Sequence, residues 1–536
     1  MFFKKPSPDL PISCSNRDRV RPVDAAVWVL CALAAAFGTW ALHVGWYHSI
    51  LDLHAWRQSH TALSAYEMVR GGPFWRYLTP ILGPPWPSPI EMPLYQWIVA
   101  TISKTGSFDL HATGRGVSVG FFLATLVSGW FALDIIDVRP RYRPVFMALA
   151  LVSPLYIFWS RTFMIESTAL FFAVTYLLAM HRATTPGATS RQTLIWLTAA
   201  LAVGALGGMV KITTFVVWWT GAAILVAMRL WRRRPAKTIQ AGVALALILP
   251  VLAAAGWLAF SDVVKAENPL SAQLAWSPVA WQHFGPLATR LSLRSWYAVP
   301  GGAILGRTRH TVVGSFAVFA SAWLAIAMSR RRLAPALVSV ALYLLPIAIF
   351  MRLYNAHVYY QYENSLLLIT MVGCGIVALL ERRDLTAWLG LALLTAALLA
   401  ATTNYLRGYY VDQQSDDVSH WPLATSLERQ VPAEDVLLIY GLDLDTEFTY
   451  AARRRAIMSW EDRGAGDPLF ERSLALLAQE RRRIGALVAC GNARANPIVP
   501  KTARRLAIAA HSSYRDDYCD VYFPDDRLPE TELTFH

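Results

Sequence analysis

The sequence has few charged residues for its length. Asp, Glu, Lys and Arg make up 16% of the 536 residues, whereas an ordinary soluble domain carries about 25%. Hydrophobic residues make up 55% of the chain, and the mean hydropathy is +0.36. This composition excludes an ordinary soluble protein, because so much apolar surface needs a bilayer to cover it.

The familiar motifs of soluble enzymes are missing as well. The sequence contains no HExxH zinc motif, no CxxC pair and no GxGxxG dinucleotide fingerprint. The segment GALGGMVK at 204–211 has a loose likeness to a phosphate-binding loop, but it lacks the glycine before the lysine and the Ser or Thr after it. The sequence therefore gives no sign of a nucleotide-binding domain.

The formal charge of +13 is explained by a membrane topology rather than by nucleic-acid binding. The basic residues lie in short clusters between long apolar segments, which is the positive-inside pattern of a polytopic membrane protein. We predict about eleven transmembrane helices, at 25–46, 115–136, 143–161, 165–182, 192–210, 212–229, 238–260, 311–329, 334–352, 364–380 and 385–403.

The orientation follows from the loops that carry arginine. If residues 1–24 form a cytoplasmic N-terminal tail, the inner loops are DVRPRYR, HRATTPGATSR, RLWRRRPAK, SRRR and ERRD, and each carries at least two arginines. The outer side then holds a long first loop at 47–114, a second long loop at 261–310 and the tail at 404–536. We therefore expect the protein to work on the outer side.

The tail has the pattern of a small α/β domain. DVLLIYG at 435–441 and IGALVACG at 484–491 are predicted to be buried strands, and DPLFERSLALLAQERRR at 467–483 has helical spacing. Cys490 and Cys519 are able to pair in an oxidising compartment, but the sequence is equally consistent with two free thiols. Cys14, Cys31 and Cys374 fall on the inner side or within spans, where we expect free thiols.

The first outer loop is predicted to contain two helices that lie along the membrane interface. In QSHTALSAYEMVRGG at 58–72 the apolar residues form a stripe and two glycines supply the stop. The segment 92–104 is the second candidate. An acid stands just ahead of each helix, Asp52 before the first and Glu91 before the second.

Several charged or polar residues gather at the outer ends of the predicted spans. Charge near the hydrocarbon is costly, about 2.5–3.5 kcal/mol at a helix centre, so such groups usually face a cavity or each other. A carboxylate can activate a hydroxyl group as a general base, and arginine suits phosphate oxygens. Helix capping and interfacial anchoring are the structural alternatives. The residues are Asp52, Glu91, Arg161, Glu166, Lys211 and His357.

Short motifs in this order resemble the GT-C class of integral-membrane glycosyltransferases. Its members include protein O-mannosyltransferases, lipid A aminoarabinose transferases and RgtA/B/C/D-like bacterial enzymes. The stretch FTYAARRRAIM at 448–458 is similar to the tails of some bacterial members. The resemblance spans most of the chain, with the catalytic domain at 25–403. The motifs are LDLHAWRQSH at 51–60, EMPLYQW at 91–97, SRTFMIESTALFF at 160–172 and HVYYQYE at 357–363.

The resemblance implies transfer of a sugar from a polyprenyl-phosphate carrier to an acceptor on the non-cytoplasmic face, typically with inversion. It implies that Asp52 is the catalytic base, that Glu91 orients the acceptor or binds a metal, and that Glu166 completes the site. Of the substrate-binding residues, Lys211 and His357 would meet the carrier phosphate. The implied substrate-binding residues are Arg57, His60, Arg161, Lys211, His357 and Tyr360.

One departure concerns the WRQ motif. Relatives with this motif are expected to carry an acid where His60 stands, so either Asp52 is the base here or His60 has a modified role. A divalent metal ion is a candidate cofactor through Glu91, although no ligand spacing demands one.

These inferences predict a bacterial inner-membrane enzyme with its active site and tail in the periplasm. The expected partners are the polyprenyl-phosphate sugar, a lipid, glycan or protein acceptor, and membrane lipids, with no nucleic acid. A sugar flippase or transporter is one alternative, which would favour charges at mid-membrane and broken helices in repeated halves. A non-catalytic envelope assembly protein is the other, and its outer acids would be replaceable.

Overall fold

Most of the described chain is helical. A computed structural model describes residues 21–232, 236–306, 311–382, 384–415, 422–460, 463–509, 512–515 and 517–527. The helices of the first half are α1 (Pro22–His43), α2 (Ala55–Val69), α3 (Leu94–Gly106), α4 (Leu110–Ala132), α5 (Arg143–Val152), α6 (Pro154–Trp159), α7 (Glu166–Ala183), α8 (Ser190–Val210), α9 (Ile212–Arg232), α10 (Lys237–Ala266), α11 (Trp276–Phe284), α12 (Leu287–Leu291), α13 (Leu293–Trp296) and α14 (Gly302–Leu305).

The second half continues the bundle and then changes to mixed structure. Its helices are α15 (Phe316–Ala327), α16 (Arg330–Ile349), α17 (Met351–Ala356), α18 (Ser365–Leu380), α19 (Thr386–Arg407), α20 (Tyr409–Gln414), α21 (Pro422–Gln430), α22 (Thr446–Ala452), α23 (Pro468–Gln479) and α24 (Ile498–Arg505). Its strands are β1 (Val436–Tyr440), β2 (Arg455–Ser459), β3 (Ile484–Cys490), β4 (Tyr514–Arg515) and β5 (Cys519–Tyr522).

Among the described residues, seven helical segments are long and apolar enough to cross a membrane. They are α1, α8, α9, α10, α16, α19 and the segment Leu110–Ile136, which is α4 with a 3-10 extension. The shorter apolar helices α15 and α18 match two further predicted spans. The multi-pass helical architecture is confirmed, whereas the count of eleven spans stays a prediction.

The other two predicted spans, 143–161 and 165–182, have a different character. The first is broken into α5 and α6, because Pro154 has no N–H to continue the helical ladder. The second, α7, is buried along most of its length against α4, α8 and α9. Its apolar side chains therefore face neighbouring helices, and Glu166 stands at its first residue.

Arginines from the predicted inner loops meet at one end of the bundle. Arg143 and Arg182 both pair with Asp134, the latter with Nη2 and Oδ2 2.9 Å apart. Arg332 Nη2 lies 2.7 Å from Glu381 Oε1. The loops that the charge pattern assigned to one side thus contact one another. Residues 1–20, 233–235 and 383, which belong to the predicted tail and inner loops, lie outside the described residues.

The predicted α/β domain is present at the C-terminal end. Its five-stranded sheet has the order β2-β1-β3-β5-β4, with β1 parallel to β2 and β3, and β5 antiparallel to β3 and β4. Both strands predicted from hydrophobic runs, β1 and β3, are buried throughout. The predicted boundary at 404 falls inside α19, which continues to Arg407.

The cysteines of this domain form a disulfide. Cys490 on β3 and Cys519 on β5 stand opposite each other in the sheet and are bonded. The two alternatives left open by the sequence are thereby decided. Cys31 and Cys374 are free and buried, as expected, and Cys14 lies outside the described residues.

The first outer loop is fastened to the domain by backbone hydrogen bonds. Gly83 N donates to Ala456 O at 3.0 Å and Met458 N donates to Ile81 O at 2.7 Å, so this part of the loop extends the sheet beyond β2. The domain also covers α2, since the hydroxyls of Ser59 and Thr446 lie 2.7 Å apart.

The two predicted loop helices form, but they differ in their surroundings. The expectation of a surface helix is wrong for α2, which is buried along most of its length because α22 and α3 pack against it. In α3, by contrast, Trp97 and Ile102 remain exposed. Only α3 therefore keeps the apolar surface that a position at the membrane interface requires.

Asn268 links the two long outer loops and provides a test of this arrangement. Its amide donates to the carbonyls of Gly83 and Pro85 at 2.7 and 2.8 Å, and its Oδ1 accepts from the N–H groups of Leu270 and Ser271. Asn268→Ala leaves these buried groups unpaired, so we expect a loss of about 1–3 kcal/mol of stability. Thermal unfolding in detergent measures the effect.

The matched control is Asn355→Ala. Asn355 is exposed and makes one side-chain hydrogen bond, to Ser295 Oγ at 3.0 Å, so its removal should change stability by less than about 0.5 kcal/mol. Equal shifts in melting temperature for the two variants would contradict the role of Asn268.

Candidate functional site

A lysine held between two carboxylates lies at the centre of the site. Lys211 Nζ is 2.9 Å from Glu166 Oε1 and 2.6 Å from Glu363 Oε1. None of the three side chains is more than 6% exposed. Glu166 begins α7, Lys211 stands between α8 and α9, and Glu363 ends the 3-10 turn Val358–Glu363. Three separate parts of the chain therefore converge on one ammonium group.

The glycine-rich segment before Lys211 serves helix packing. A Cβ on Gly208 would lie 2.9 Å from the carbonyl oxygen of Pro250, so only glycine lets α8 approach α10 this closely. Lys211 itself adopts extended backbone, with φ −162° and ψ 98°, between the two helices. The segment that loosely resembled a phosphate loop is thus a close helix contact followed by a break that carries the lysine.

Aromatic rings from the turn after α17 cover the lysine. Lys211 Nζ lies 4.3 Å from the ring centroid of Tyr360 and 5.3 Å from that of Tyr359, which favours a cation. The His357 ring stacks on Tyr359 with centroids 5.4 Å apart, and it also approaches His54 at 5.5 Å. Burial lowers the pKa of His357 to about 4, so its imidazole is neutral near pH 7.

A second ion pair borders this cluster. Arg57 on α2 pairs with Glu91, and their side chains are 8% and 19% exposed. Arg57 also lies close enough to Glu166 and Tyr359 to interact with them electrostatically. His60 stands one turn further along α2, and burial lowers its pKa to about 3. A neutral His60 brings no positive charge to the site.

Asp52 belongs to a separate polar group. Gln58 Nε2 donates to Asp52 Oδ1, and Gln58 Oε1 accepts from the N–H of Phe163 at 2.9 Å. Loss of solvation raises the pKa of Asp52, and the nearby Arg161 and Arg115 oppose this shift. The partners of Asp52, which are Gln58, Arg161 and Arg115, differ from Arg57, the partner of Glu91, and from Lys211, the partner of Glu166.

The two arginines near Asp52 also hold the chain that follows α1. Arg161 Nη2 donates to Gly45 O at 2.6 Å. Arg115 donates to the carbonyls of Trp46, His48 and Ser49 at 2.6–2.9 Å. The two arginines near Asp52 therefore also fix the connection between α1 and α2, in which Asp52 itself stands.

Comparison with known proteins gives matches among solved structures. No protein-family model and no curated protein matches the sequence. ArnT from Cupriavidus metallidurans bound to undecaprenyl phosphate superposes with a TM-score of 0.58 at 15% identity, over 93% of this chain and 98% of that one. The same protein in its apo state gives a TM-score of 0.53 at 14% identity over the same shares.

An archaeal oligosaccharyltransferase also matches. AglB from Archaeoglobus fulgidus, in complex with an inhibitory peptide and a dolichol-phosphate, gives a TM-score of 0.50 at 11% identity. The match covers 87% of this chain and 69% of AglB. The chain has the GT-C glycosyltransferase fold. The fold expected from the short motifs is therefore confirmed, while the roles of individual residues need separate arguments.

Within this GT-C fold, the predicted site residues fall into two groups. One group is the buried cluster of Glu166, Lys211, His357 and Tyr360, bordered by the pair of Arg57 and Glu91. The other is Asp52 with Arg161, while His60 lies on α2 near Arg57. The described residues contain no group of three or more His, Cys, Asp or Glu side chains arranged to hold a metal ion.

Sequence analysis did not single out Glu363. It is the acid of the HVYYQYE motif, and like Glu166 it stands at the outer end of a predicted span: Glu363 lies just before 364–380, and Glu166 is the second residue of 165–182. This position at the outer end of a span, which Glu363 shares with Glu166, was the signal in the sequence that pointed to Glu363. Other residues of the site that were not named are held by contacts distant in sequence, which no local pattern encodes. They are His54, Gln58, Arg115 and Tyr359.

Lys211→Met tests the cluster, because it leaves two buried carboxylates without a cation. Breaking a buried ion pair from one side typically costs about 3–5 kcal/mol, so we expect a large fall in the melting temperature of the purified protein. Glu363→Gln retains the Glu166–Lys211 pair and should cost much less. A Lys211→Met variant as stable as the unmodified protein would show that the cluster is not a buried ion-pair network.

Proposed function

We propose that this protein is a membrane glycosyltransferase that moves a sugar from a polyprenyl-phosphate carrier to a hydroxyl group on a lipid, glycan or protein. The observation that carries the proposal is the fold match over nearly the whole length of ArnT, which was solved with undecaprenyl phosphate. AglB, solved with dolichol-phosphate, adds a second neighbour with a ligand of this class.

The buried cluster supports the phosphate end of this reaction. Lys211 and Arg57 are the cations of the cluster, and His357 adds an imidazole whose Nδ1 has no hydrogen-bond partner among the described residues. Cations aimed at a phosphate stabilise the negative charge that develops when it leaves. We assign these three residues, with Tyr360 beside Lys211, to the carrier phosphate and its sugar.

The acceptor end of the reaction needs a general base. Asp52 is half-buried, and its raised pKa lies closer to neutrality than that of an ordinary aspartate, which suits a base. The acceptor oxygen would attack the anomeric carbon as its proton passes to Asp52, and the carbon–oxygen bond to the phosphate would break. A single displacement of this kind inverts the anomeric configuration.

The remaining predicted residues position the groups that bind the carrier phosphate and the acceptor. Glu91, the more exposed member of its pair with Arg57, would orient the acceptor. Glu166 would hold Lys211, and Arg161 would hold the turn that leads to Asp52. The donor sugar would be a hexose or a pentose, and a metal at Glu91 stays a prediction.

We also propose that the site and the α/β domain face the periplasm of a bacterial inner membrane, with the N-terminus in the cytoplasm. The arginine-rich loops meet at one end of the bundle, as the positive-inside rule expects of the cytoplasmic end. The disulfide lies in the domain attached to the other end, and disulfides persist in oxidising compartments such as the periplasm.

Replacing the proposed base is the first test of function. Asp52→Asn should lower the rate of sugar transfer about 10²–10⁴-fold, the usual contribution of a general base. Mass spectrometry of the cell's glycolipids and polysaccharides should show one sugar lost and its polyprenyl-phosphate donor accumulating. Protein levels in the membrane must be equal.

The matched control is Asp443→Asn. Asp443 is an exposed acid of the α/β domain with φ 47°, a conformation that asparagine also tolerates. It should leave the glycan profile unchanged. An unchanged profile for Asp52→Asn as well would remove Asp52 from the chemistry and favour the transport or assembly alternatives.

Thiol labelling in whole cells tests the orientation. A membrane-impermeant maleimide should label the variant Ala433→Cys in whole cells, because Ala433 is an exposed residue of the α/β domain. The unmodified protein is the control and should stay unlabelled, since Cys490 and Cys519 are buried in a disulfide and Cys31 and Cys374 are buried as well. Labelling that requires cell lysis would place the domain on the cytoplasmic side and contradict the proposed topology.

A further inference from the structure

The buried cluster carries one more negative charge than positive. Lys211 is the only cation that pairs with Glu166 and Glu363 among the described residues, while Arg57 is matched by Glu91. The imidazoles of His54 and His357 are neutral near pH 7, because burial lowers the pKa of each. The hydroxyl groups of Tyr354, Tyr359 and Tyr360, which face the cluster, are neutral too, because burial raises the pKa of each.

This charge balance conflicts with the binding of an anion. If the proposed function holds, the sugar-loaded carrier brings a phosphodiester with a charge of about −1, and the carrier released by the reaction is a monoester with a charge of about −1.5 to −2 at pH 7. The ammonium group of Lys211 cannot direct its full charge and all its hydrogen bonds at that phosphate while two carboxylates hold it at 2.6 and 2.9 Å. Like charges in a buried site repel strongly because little water screens them. One of the two carboxylates must therefore lose its charge when the carrier binds.

The hydrogen bonds favour Glu363 over Glu166 as that group. Thr213 Oγ1 lies 3.1 Å from Glu363 Oε1, and a hydroxyl is able to accept as well as donate. A protonated Glu363 would thus keep a partner. For Glu166, the only hydrogen bond to its carboxylate among the described residues comes from Lys211. Neutralising Glu166 would leave its proton without an acceptor in the protein.

The position of Glu363 is also fixed independently of its charge. Trp218 Nε1 donates to the backbone carbonyl of Glu363 at 3.0 Å. The residue therefore stays in place when its side chain releases the lysine, and only the side-chain ion pair changes.

We propose that Glu363 takes up one proton from solvent when the carrier phosphate binds, and that this frees Lys211 to bind the phosphate. The proton adds to a carboxylate oxygen of Glu363, the ammonium group of Lys211 stays protonated, and no bond to carbon or phosphorus changes in this step. Glu363 acts through Lys211, so it is a positioning residue for the carrier.

The test measures the dissociation constant of undecaprenyl phosphate for the full chain in detergent between pH 7.5 and 9.5. In this range the second ionisation of the phosphate, with a pKa of about 6, is complete. Uptake of one proton makes the dissociation constant rise about tenfold per pH unit in the unmodified protein. Glu363→Gln mimics the protonated acid, so its affinity should change less than about twofold per unit and match or exceed the unmodified protein at pH 9.

The control variant is Glu267→Gln, which removes an exposed acid paired with Arg76 outside the site. It should keep the slope of the unmodified protein. Calorimetry of the unmodified protein in two buffers with different ionisation enthalpies counts the protons without any variant, and should give one proton per carrier bound.

The outcomes separate this proposal from the proposed function. Carrier binding that does not depend on pH, or the same slope in Glu363→Gln, overturns proton uptake at Glu363 but leaves the transferase intact. A slope that disappears in Glu166→Gln and persists in Glu363→Gln assigns the proton to Glu166 and also overturns the proposal. Absence of carrier binding at every pH contradicts the proposed function, and this inference with it.

Discussion

The buried ammonium group of Lys211 is the interaction on which the arrangement of the site depends. Placing charges out of water costs several kcal/mol per ion unless they are paired. The start of α7, the break between α8 and α9, and the turn before α18 must therefore meet in one geometry. Because the lysine is held by two carboxylates, the site is both rigid and unbalanced in charge, and this imbalance links the structure to an anionic substrate.

The bundle was largely predictable because apolar length is a local property. Each of the seven qualifying segments corresponds to a predicted span, and β1 and β3 correspond to predicted strands. The prediction was less accurate where tertiary contacts decide the structure. Pro154 divides one segment, α7 is surrounded by other helices, and α2 is covered by a domain nearly 400 residues away in sequence.

The site was predictable in its members but not in its pairing. Topology alone placed Glu166 and Lys211 at the outer ends of spans, and the structure joins them. Asp52 and Glu91 were each predicted just ahead of a loop helix, and their partners could not be predicted. Two adjacent residues of α2 hold these acids: Arg57 pairs with Glu91, and Gln58 donates to Asp52.

The most direct test of this account is an experimental structure of the protein with undecaprenyl phosphate bound. The account predicts a phosphate oxygen within about 2.7–3.2 Å of Lys211 Nζ, with Glu363 moved out of its contact with the lysine. A phosphate bound elsewhere, with Lys211 still held by both carboxylates, would contradict it.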